Sequence, residues 1–364
     1  MNILFIANHL NVGGISSYLF GLGRGLKNKG HNVYLASSGG DGIDKFRKAG
    51  IVHIQVPLRT KKEISPKIIF SFFKLSGEIR KLNITVLHSN SRTTQVLGNL
   101  LSRYRKVAHV FTCHGFFKPK LSRKIFPCWP DAVIAISGQV KEHLICDFKL
   151  DEKKISVINN GIDTANFGDF SAREKMREAL GVNDAPLVGI IARLSDVKGH
   201  TYLLQAMQSV IKTFSSAKLL IVGEGKTKDA LVKEADDLGI RDNVLFLPEA
   251  ENTKDILAAM DIFVMPSLQE GLGLALMEAM AQGLAVVGSD VGGIKSLIQD
   301  KVTGLLVKPA DPLGLSRAIS DLLNDAAKRV LLAANAKEFI INNFPQEKMV
   351  DATERVYKQC LKVL

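Results

Sequence analysis

The chain has 364 residues, carries 48 Lys+Arg against 36 Asp+Glu for a formal net charge of +12, and is 46% apolar and 23% charged. That length exceeds one ordinary core and fits two domains, and the composition excludes a disordered chain. The four cysteines, Cys113, Cys128, Cys146 and Cys360, form no CxxC pair and fit reduced thiols, and no uncharged apolar run reaches about 18 residues, so no membrane span is expected.

In chain order, Met1 to Ala7 carries no basic side chain before its apolar run and reads as a first strand rather than a signal peptide. Strands are then predicted at 3–7, 32–36, 52–56, 85–88, 107–112, 132–136 and 156–158, with helices such as 15–29 and 67–81 between them. The second half repeats the pattern with strands at 187–191, 218–222, 244–246, 262–265, 285–287 and 305–307. Its helices fall near 201–213, 227–238, 254–259 and 274–282. Short, almost wholly apolar strands alternating with helices indicate βαβ units and parallel sheets covered on both faces. Two such blocks give an α/β protein of two doubly wound, Rossmann-like domains. The expected limits are 1–165 and 166–344, with a terminal helix over 345–364 that packs back on the first domain. Ligands of open α/β sheets sit at the carboxyl ends of the strands, so the cleft between the domains is the expected site.

Ser267 to Gly293 holds the densest chemistry. A strand runs into a loop with Glu270, Gly271, Leu272 and Gly273, then into a helix with Leu274 and Glu278, then into a second strand ending at Gly292-Gly293. Glycines at a helix start let backbone amides approach an anion. Two carboxylates beside that point suit sugar hydroxyls rather than phosphates, and the combination indicates a nucleotide sugar. Arg193 and Lys198 follow one strand and precede a helix, where two cations fit a diphosphate. Gly13-Gly14 stands between the first strand and first helix and reads either as a phosphate-facing pair or as a turn. GxGxxG is absent there and at Gly223-Glu224-Gly225, which disfavours an NAD oxidoreductase. His114 lies just past a strand end, either structural or in contact with substrate. With no HExxH and no Asp-x-Asp, no metal and no cofactor is expected; positive groups and amides would stabilise the leaving phosphate.

These residues resemble glycosyltransferase family four, retaining enzymes of the GT-B fold, over most of the chain. Glu270 and Glu278 are similar to its Glu-x7-Glu pair, and His114 after Thr112-Cys113 to its active-site histidine. Asn159-Asn160-Gly161-Ile162-Asp163 resembles its interdomain segment, and Arg193 to Gly199 its diphosphate-binding stretch. Gly13-Gly14 and Gly30 to Val33 resemble its opening loop and the end of its first helix, and Ile221 to Gly225 also fits. The resemblance implies His114 and Glu270 as catalytic, with Glu270 on the transferred sugar and Glu278 on the ribose. Gly13, Gly14, Arg193, Lys198, Gly271, Leu272, Gly273 and Leu274 would bind the donor, with the base near Leu247 and Glu251. The base, uridine or guanosine, is open. Two departures are Ser296, where the family usually has Glu, and Ala192 in place of Gly.

Charge sorts by half. Residues 1–165 hold 25 Lys+Arg and 10 Asp+Glu, a net of +15, and residues 166–364 hold 23 and 26, a net of −3. One basic cluster, Arg59, Lys61, Lys62 and Lys67, precedes Phe70, Phe72 and Phe73, phenylalanines that fit a core as well as a surface. A second runs from Arg103, Arg105 and Lys106 through Phe116, Phe117, Lys118, Lys120, Arg123, Lys124 and Phe126 to Trp129 and reads as a surface. Basic residues mixed with aromatics suit an anionic membrane. The expectation is a cytoplasmic enzyme on the inner membrane face, with a lipid-linked or anionic glycan acceptor in cell-envelope polysaccharide or lipopolysaccharide synthesis, and no nucleic-acid partner. The alternatives are a nucleotide-sugar epimerase of the same fold and a non-catalytic binding module.

Overall fold

The computed structural model describes residues 1–60, 62, 63, 65–118, 123, 126–250 and 252–363; Lys61, Lys120, Lys124 and Glu251 lie outside the described residues. The chain divides into two compact units, one of Met1–Gly161 with the chain from Gln346 onward, the other of Ile162–Pro345.

The first unit holds seven parallel strands: β1 (Asn2–Ile6), β2 (Asn32–Ser37), β3 (Val52–Gln55), β4 (Val86–Ser89), β5 (Ala108–Cys113), β6 (Ala132–Ala135) and β7 (Ile155–Val157). Their order is β3-β2-β1-β4-β5-β6-β7. The sequence signal for these strands is burial on both faces; all four residues of β4 and all six of β5 are buried. The helix Gln346–Val363 enters this core through Met349, Val350, Val356 and Tyr357. It sits close because the helix Gly14–Asn28 offers Gly21 and Gly25 where it passes. A Cβ on Gly25 would lie 2.4 Å from a Val350 methyl, and one on Gly21 2.7 Å from Gln346 Oε1. Lys29 pairs with Asp351 and Glu354, both at 2.6 Å.

The second unit holds six parallel strands: β8 (Leu187–Ile191), β9 (Lys218–Val222), β10 (Val244–Leu247), β11 (Ile262–Met265), β12 (Ala285–Ser289) and β13 (Leu305–Val307), in the order β10-β9-β8-β11-β12-β13. Its core includes Val188, Ile190, Leu219, Ile221, Val264 and Val287, with Leu203, Met207 and Ile319 from covering helices. Each sheet has one topological switch point, at β1/β4 in the first unit and β8/β11 in the second, where the next strands step to opposite sides.

The two basic-aromatic clusters divide differently from their sequence reading. On the helix Pro66–Lys81, Phe70 and Phe73 are 59% and 71% exposed. The second cluster is a surface in part: Phe126 is 66% exposed and Arg103, Lys106 and Lys118 are exposed, whereas Phe116 and Phe117 pack onto the His143 ring at 5.3 Å and the Phe111 ring at 6.2 Å, and Trp129 onto Phe148. The reason is local: the Phe117 amide donates to His143 Nε2 (2.9 Å), and Arg92 donates to the Phe126 and Pro127 carbonyls (2.6 and 2.5 Å), tying the segment to the domain. No helix of the described residues is long and apolar enough to cross a membrane.

Candidate active site

In the second unit the expected donor residues gather at the carboxyl ends of neighbouring strands. Lys198 ends a short turn after β8, and Glu270 lies in the loop after β11, so the two flank the switch point. Lys198 Nζ is 2.5 Å from Glu270 Oε2, with both side chains largely buried. Backbone packing brings them there. Gly199 has φ +71°, and a Cβ on it would lie 2.0 Å from the Pro266 carbonyl oxygen. The Leu268 amide donates to the Val197 carbonyl at 2.8 Å. On the other side, Gly292 has φ +45°, its would-be Cβ 2.0 Å from the Glu270 carbonyl oxygen, and that oxygen accepts the Gly293 amide at 3.0 Å. Three strand-end loops are thus interlocked around Glu270, and only glycine fits the contact points.

The carboxylate of Glu270 also accepts from its neighbour's amide, Gly271 N (3.2 Å), and from Ser267 Oγ (3.4 Å). Gly273 (φ +104°) opens the helix Leu274–Gln282, whose first turn holds no acidic residue, leaving its positive end available to an anion. Leu272 is buried, so only its backbone can serve a ligand; Leu274 is half-buried. Glu278, half-buried on that helix, accepts from Thr253 Oγ1 at 2.9 Å. Arg193 is exposed on the β8 rim. Gly223 and Gly225 serve packing: their would-be Cβ atoms lie 2.1 and 2.0 Å from the Ala192 and Leu194 carbonyl oxygens. Leu247 ends β10 beside them, its carbonyl accepting the Gly223 amide at 3.0 Å. Ser296, where the resemblance leads one to expect Glu, turns its hydroxyl back onto the Gly293 carbonyl at 2.6 Å.

In the first unit the groups around His114 are neutral, with the Arg92–Glu63 ion pair (3.1 Å) a turn beyond Asn90. Gly13, at φ +146°, precedes the helix Gly14–Asn28, and neither Gly13 nor Gly14 has any atom within 4 Å of a would-be Cβ. His114 stands one residue past β5, its Nε2 3.1 Å from Asn90 Oδ1, and Asn90 stands one residue past β4. The Tyr18 ring meets the His114 ring edge-on at 4.7 Å. Behind them Thr112 Oγ1 is 3.0 Å from the Tyr18 hydroxyl and 2.7 Å from His88 Nε2, and His88 Nδ1 is hydrogen-bonded to the Tyr357 hydroxyl. Burial disfavours charge throughout. It holds His114 and His109 down to about 3, drives His88 well below the usual imidazole range, and raises Tyr18 and Tyr357. His114 is therefore neutral at pH 7. Asn90, Tyr18, His88 and Tyr357 escape a motif-based reading; for Asn90 the available signal was its place at a strand's carboxyl end.

Two family models match the chain: "Glycosyltransferase Family 4" over residues 12–166 and "Glycosyl transferases group 1" over residues 172–339. An uncharacterized glycosyltransferase of Methanocaldococcus jannaschii is 28% identical across 97% of this chain and 96% of its own. The UDP-Gal:alpha-D-GlcNAc-diphosphoundecaprenol alpha-1,3-galactosyltransferase of Escherichia coli is 28% identical across 80% and 79%. Among solved structures, Anabaena HepE in complex with UDP and glucose superposes with a TM-score of 0.88 at 21% identity, covering 99% of this chain and 100% of that one, a likeness of fold. The chain belongs to glycosyltransferase family four and is a glycosyltransferase of the GT-B fold.

Proposed function

We propose that this glycosyltransferase moves a sugar, with retention at the anomeric carbon, from a nucleoside diphosphate sugar to a lipid-linked or polysaccharide acceptor in cell-envelope glycan synthesis. The observation that carries the reading is the Lys198–Glu270 pair at the β8/β11 switch point, beside the open end of the helix Leu274–Gln282. A diphosphate is served by Lys198, Arg193 and the amides of residues 271–274. Carbohydrate hydroxyls are served by Glu270, and the ribose by Glu278. In the reaction the anomeric C–O bond breaks with its electron pair passing to the diphosphate. The acceptor oxygen bonds to that carbon, and its proton leaves with the diphosphate. Fixed cations and amides lower the barrier by balancing charge on the departing phosphates, and they do so without a metal. The family resemblance also assigns His114 and the Gly13-Gly14 loop to the donor.

Uridine diphosphate sugars are the first donors to test, since the galactosyltransferase relative uses UDP-Gal and the HepE structure contains UDP. The deciding experiment is titration calorimetry and a turnover screen over a panel of UDP- and GDP-sugars, with and without EDTA. Binding of a nucleoside diphosphate sugar and EDTA-insensitive turnover support the reading. No uptake of any donor or nucleoside diphosphate by folded protein defeats it.

The acceptor reading places the first unit at the cytoplasmic face of an anionic membrane. It draws support from the exposed Phe70 and Phe73, from Tyr104, 63% exposed with its ring 5.4 Å from that of Phe72, and from the lysines and arginines of the same helices, Lys67, Lys74 and Arg103. Aromatic rings at headgroup depth with cations around them match such a surface. Cosedimentation with vesicles containing anionic phospholipid at low salt should be strong, and weaker for Phe70→Ser with Phe73→Ser. No binding by the unaltered protein removes this part of the proposal.

A further inference from the structure

The amide of Asn90 is oriented by the backbone. Its Nδ2 donates to the carbonyl oxygen of His88, two residues earlier, at 3.3 Å. Oδ1 is then the atom facing His114 Nε2 at 3.1 Å, and an amide oxygen can only accept. Nε2 must therefore carry the proton. The ring is neutral, so Nδ1 keeps its lone pair, and among the described residues it has no hydrogen-bond partner.

The arrangement around Asn90 is rigid. Its own amide donates to Thr94 Oγ1 at 3.2 Å, Thr94 belongs to the capping box that starts the helix Arg92–Arg105, and Asn90 is 2% exposed. The edge of the Tyr18 ring limits rotation of His114 from another side. Burying a primary amide and an imidazole costs stability unless both are hydrogen-bonded, and here the bond made fixes one tautomer of a residue at the strand-end rim.

We propose that Asn90 is a positioning residue, whose amide holds His114 as the Nε2–H tautomer so that Nδ1 accepts a hydrogen bond from a hydroxyl of bound substrate. The proton on Nε2 follows from the hydrogen-bond geometry and the ring's neutrality from its burial; only the substrate contact rests on the transferase reading.

The test is a nitrogen–proton correlation spectrum of the full chain with 15N-labelled histidine, the His114 signals being those lost in His114→Gln. The expected spectrum has a pyrrole-like Nε2 and a pyridine-like Nδ1; the reverse assignment in the unaltered protein overturns the proposal without any variant. Asn90→Ala should mix the two tautomers, whereas Asn90→Asp, which keeps an acceptor oxygen, should restore Nε2–H. An unchanged tautomer in Asn90→Ala overturns the proposal. With a donor from the screen above, Asn90→Ala should lower kcat/KM about tenfold, equivalent to about 1.4 kcal/mol, with Asn90→Asp recovering part of it. Should the unaltered protein turn over no nucleotide sugar, the transferase reading fails, and the spectrum still decides the role of Asn90.

Discussion

The two units share one architecture and equip it oppositely. Each is a parallel sheet with a switch point, and each puts its candidate residues on the loops that leave the strands. In the second unit the rim is ionic and held by backbone contact, with Lys198 on Glu270 and glycines at Gly199 and Gly292 letting loops touch. In the first, the groups packed around His114 are uncharged and held by side chains, a chain of hydroxyl and imidazole groups from Tyr357 to Tyr18 and the ring contact on to His114. Net charge runs the other way: the first half of the chain is basic while the groups packed around His114 are neutral. The fold thus fixes where ligand-facing groups stand, and local sequence decides whether they carry charge.

The largest expected effect falls on the ionic rim. Lys198→Ala removes a cation from the diphosphate and leaves the Glu270 carboxylate largely buried without its ion-pair partner. Turnover should fall about 10²–10³-fold, the range for loss of one preorganised electrostatic group. Arg193→Ala, on an exposed side chain, should cost less. Small effects from both, measured as kcat with a saturating donor, would strip the ionic rim of its part in turnover and with it the contrast to the neutral groups around His114.

Acid should separate the units next. His88, His109 and His114 in the first unit, and His200 in the second, have folded pKa values below the ordinary imidazole value of about 6.5, because burial penalises the charged ring. A lowered imidazole pKa means the unfolded chain binds the extra proton. The stability contributed is therefore complete above about pH 6.5 and is lost as pH falls toward the folded values, about 3 for His109 and His114 and about 4 for His200. At pH 5 each such ring costs up to about 2 kcal/mol. Asp169 and Glu354, both depressed to about 2, act with the same sign in a lower window: their contributions are complete above the ordinary carboxylate range and are lost as pH falls through it toward about 2. Hydrogen exchange, corrected for intrinsic rate, should show the first sheet losing more protection than the second between pH 7 and pH 5. Equal loss in both would refute the comparison.

Glycine substitutions sharpen it further. Gly292→Ala forces a Cβ against the Glu270 carbonyl oxygen at a positive φ, and should cost about 1–3 kcal/mol and disturb Glu270. Gly14→Ala meets no atom within 4 Å and should change stability by less than about 0.5 kcal/mol. A loss of donor affinity in Gly14→Ala at unchanged melting temperature would show that Gly14 is needed for close approach of a ligand and not for the fold.

The inner strands were legible because parallel strands buried on both faces leave continuous apolar runs, such as Leu187–Ile191 and Ile262–Met265, whereas the edge strands Val52–Gln55 and Ile155–Val157, partly exposed, were placed by their position in the βα alternation. The ionic rim was legible for a related reason: Glu270, Lys198 and the glycines lie within short stretches where the motif and its backbone demand coincide. The neutral rim was not. Tyr357 meets His88 across 269 residues of chain, and a Tyr, a Thr and two His in apolar surroundings look like any core until the strands are aligned. The exposure of Phe70 and Phe73 was equally hidden, since an amphipathic period shows which face is apolar and not what covers it.

The smallest effect tests whether the neutral rim acts as a unit. Tyr357→Phe keeps the ring in its buried place and removes only the hydroxyl on His88 Nδ1. Loss of one buried hydrogen bond with its partner left unpaired costs about 1–3 kcal/mol, so the melting temperature should fall by a few degrees. Thr112→Val removes the middle of the same chain, releasing both the Tyr18 hydroxyl and His88 Nε2. If the groups work together, the two changes combined cost less than the sum of each alone, because the second finds the chain already broken. Strict additivity, measured by thermal unfolding of the two single variants and the double, would reduce the network to separate core contacts that share a neighbourhood and no common energy.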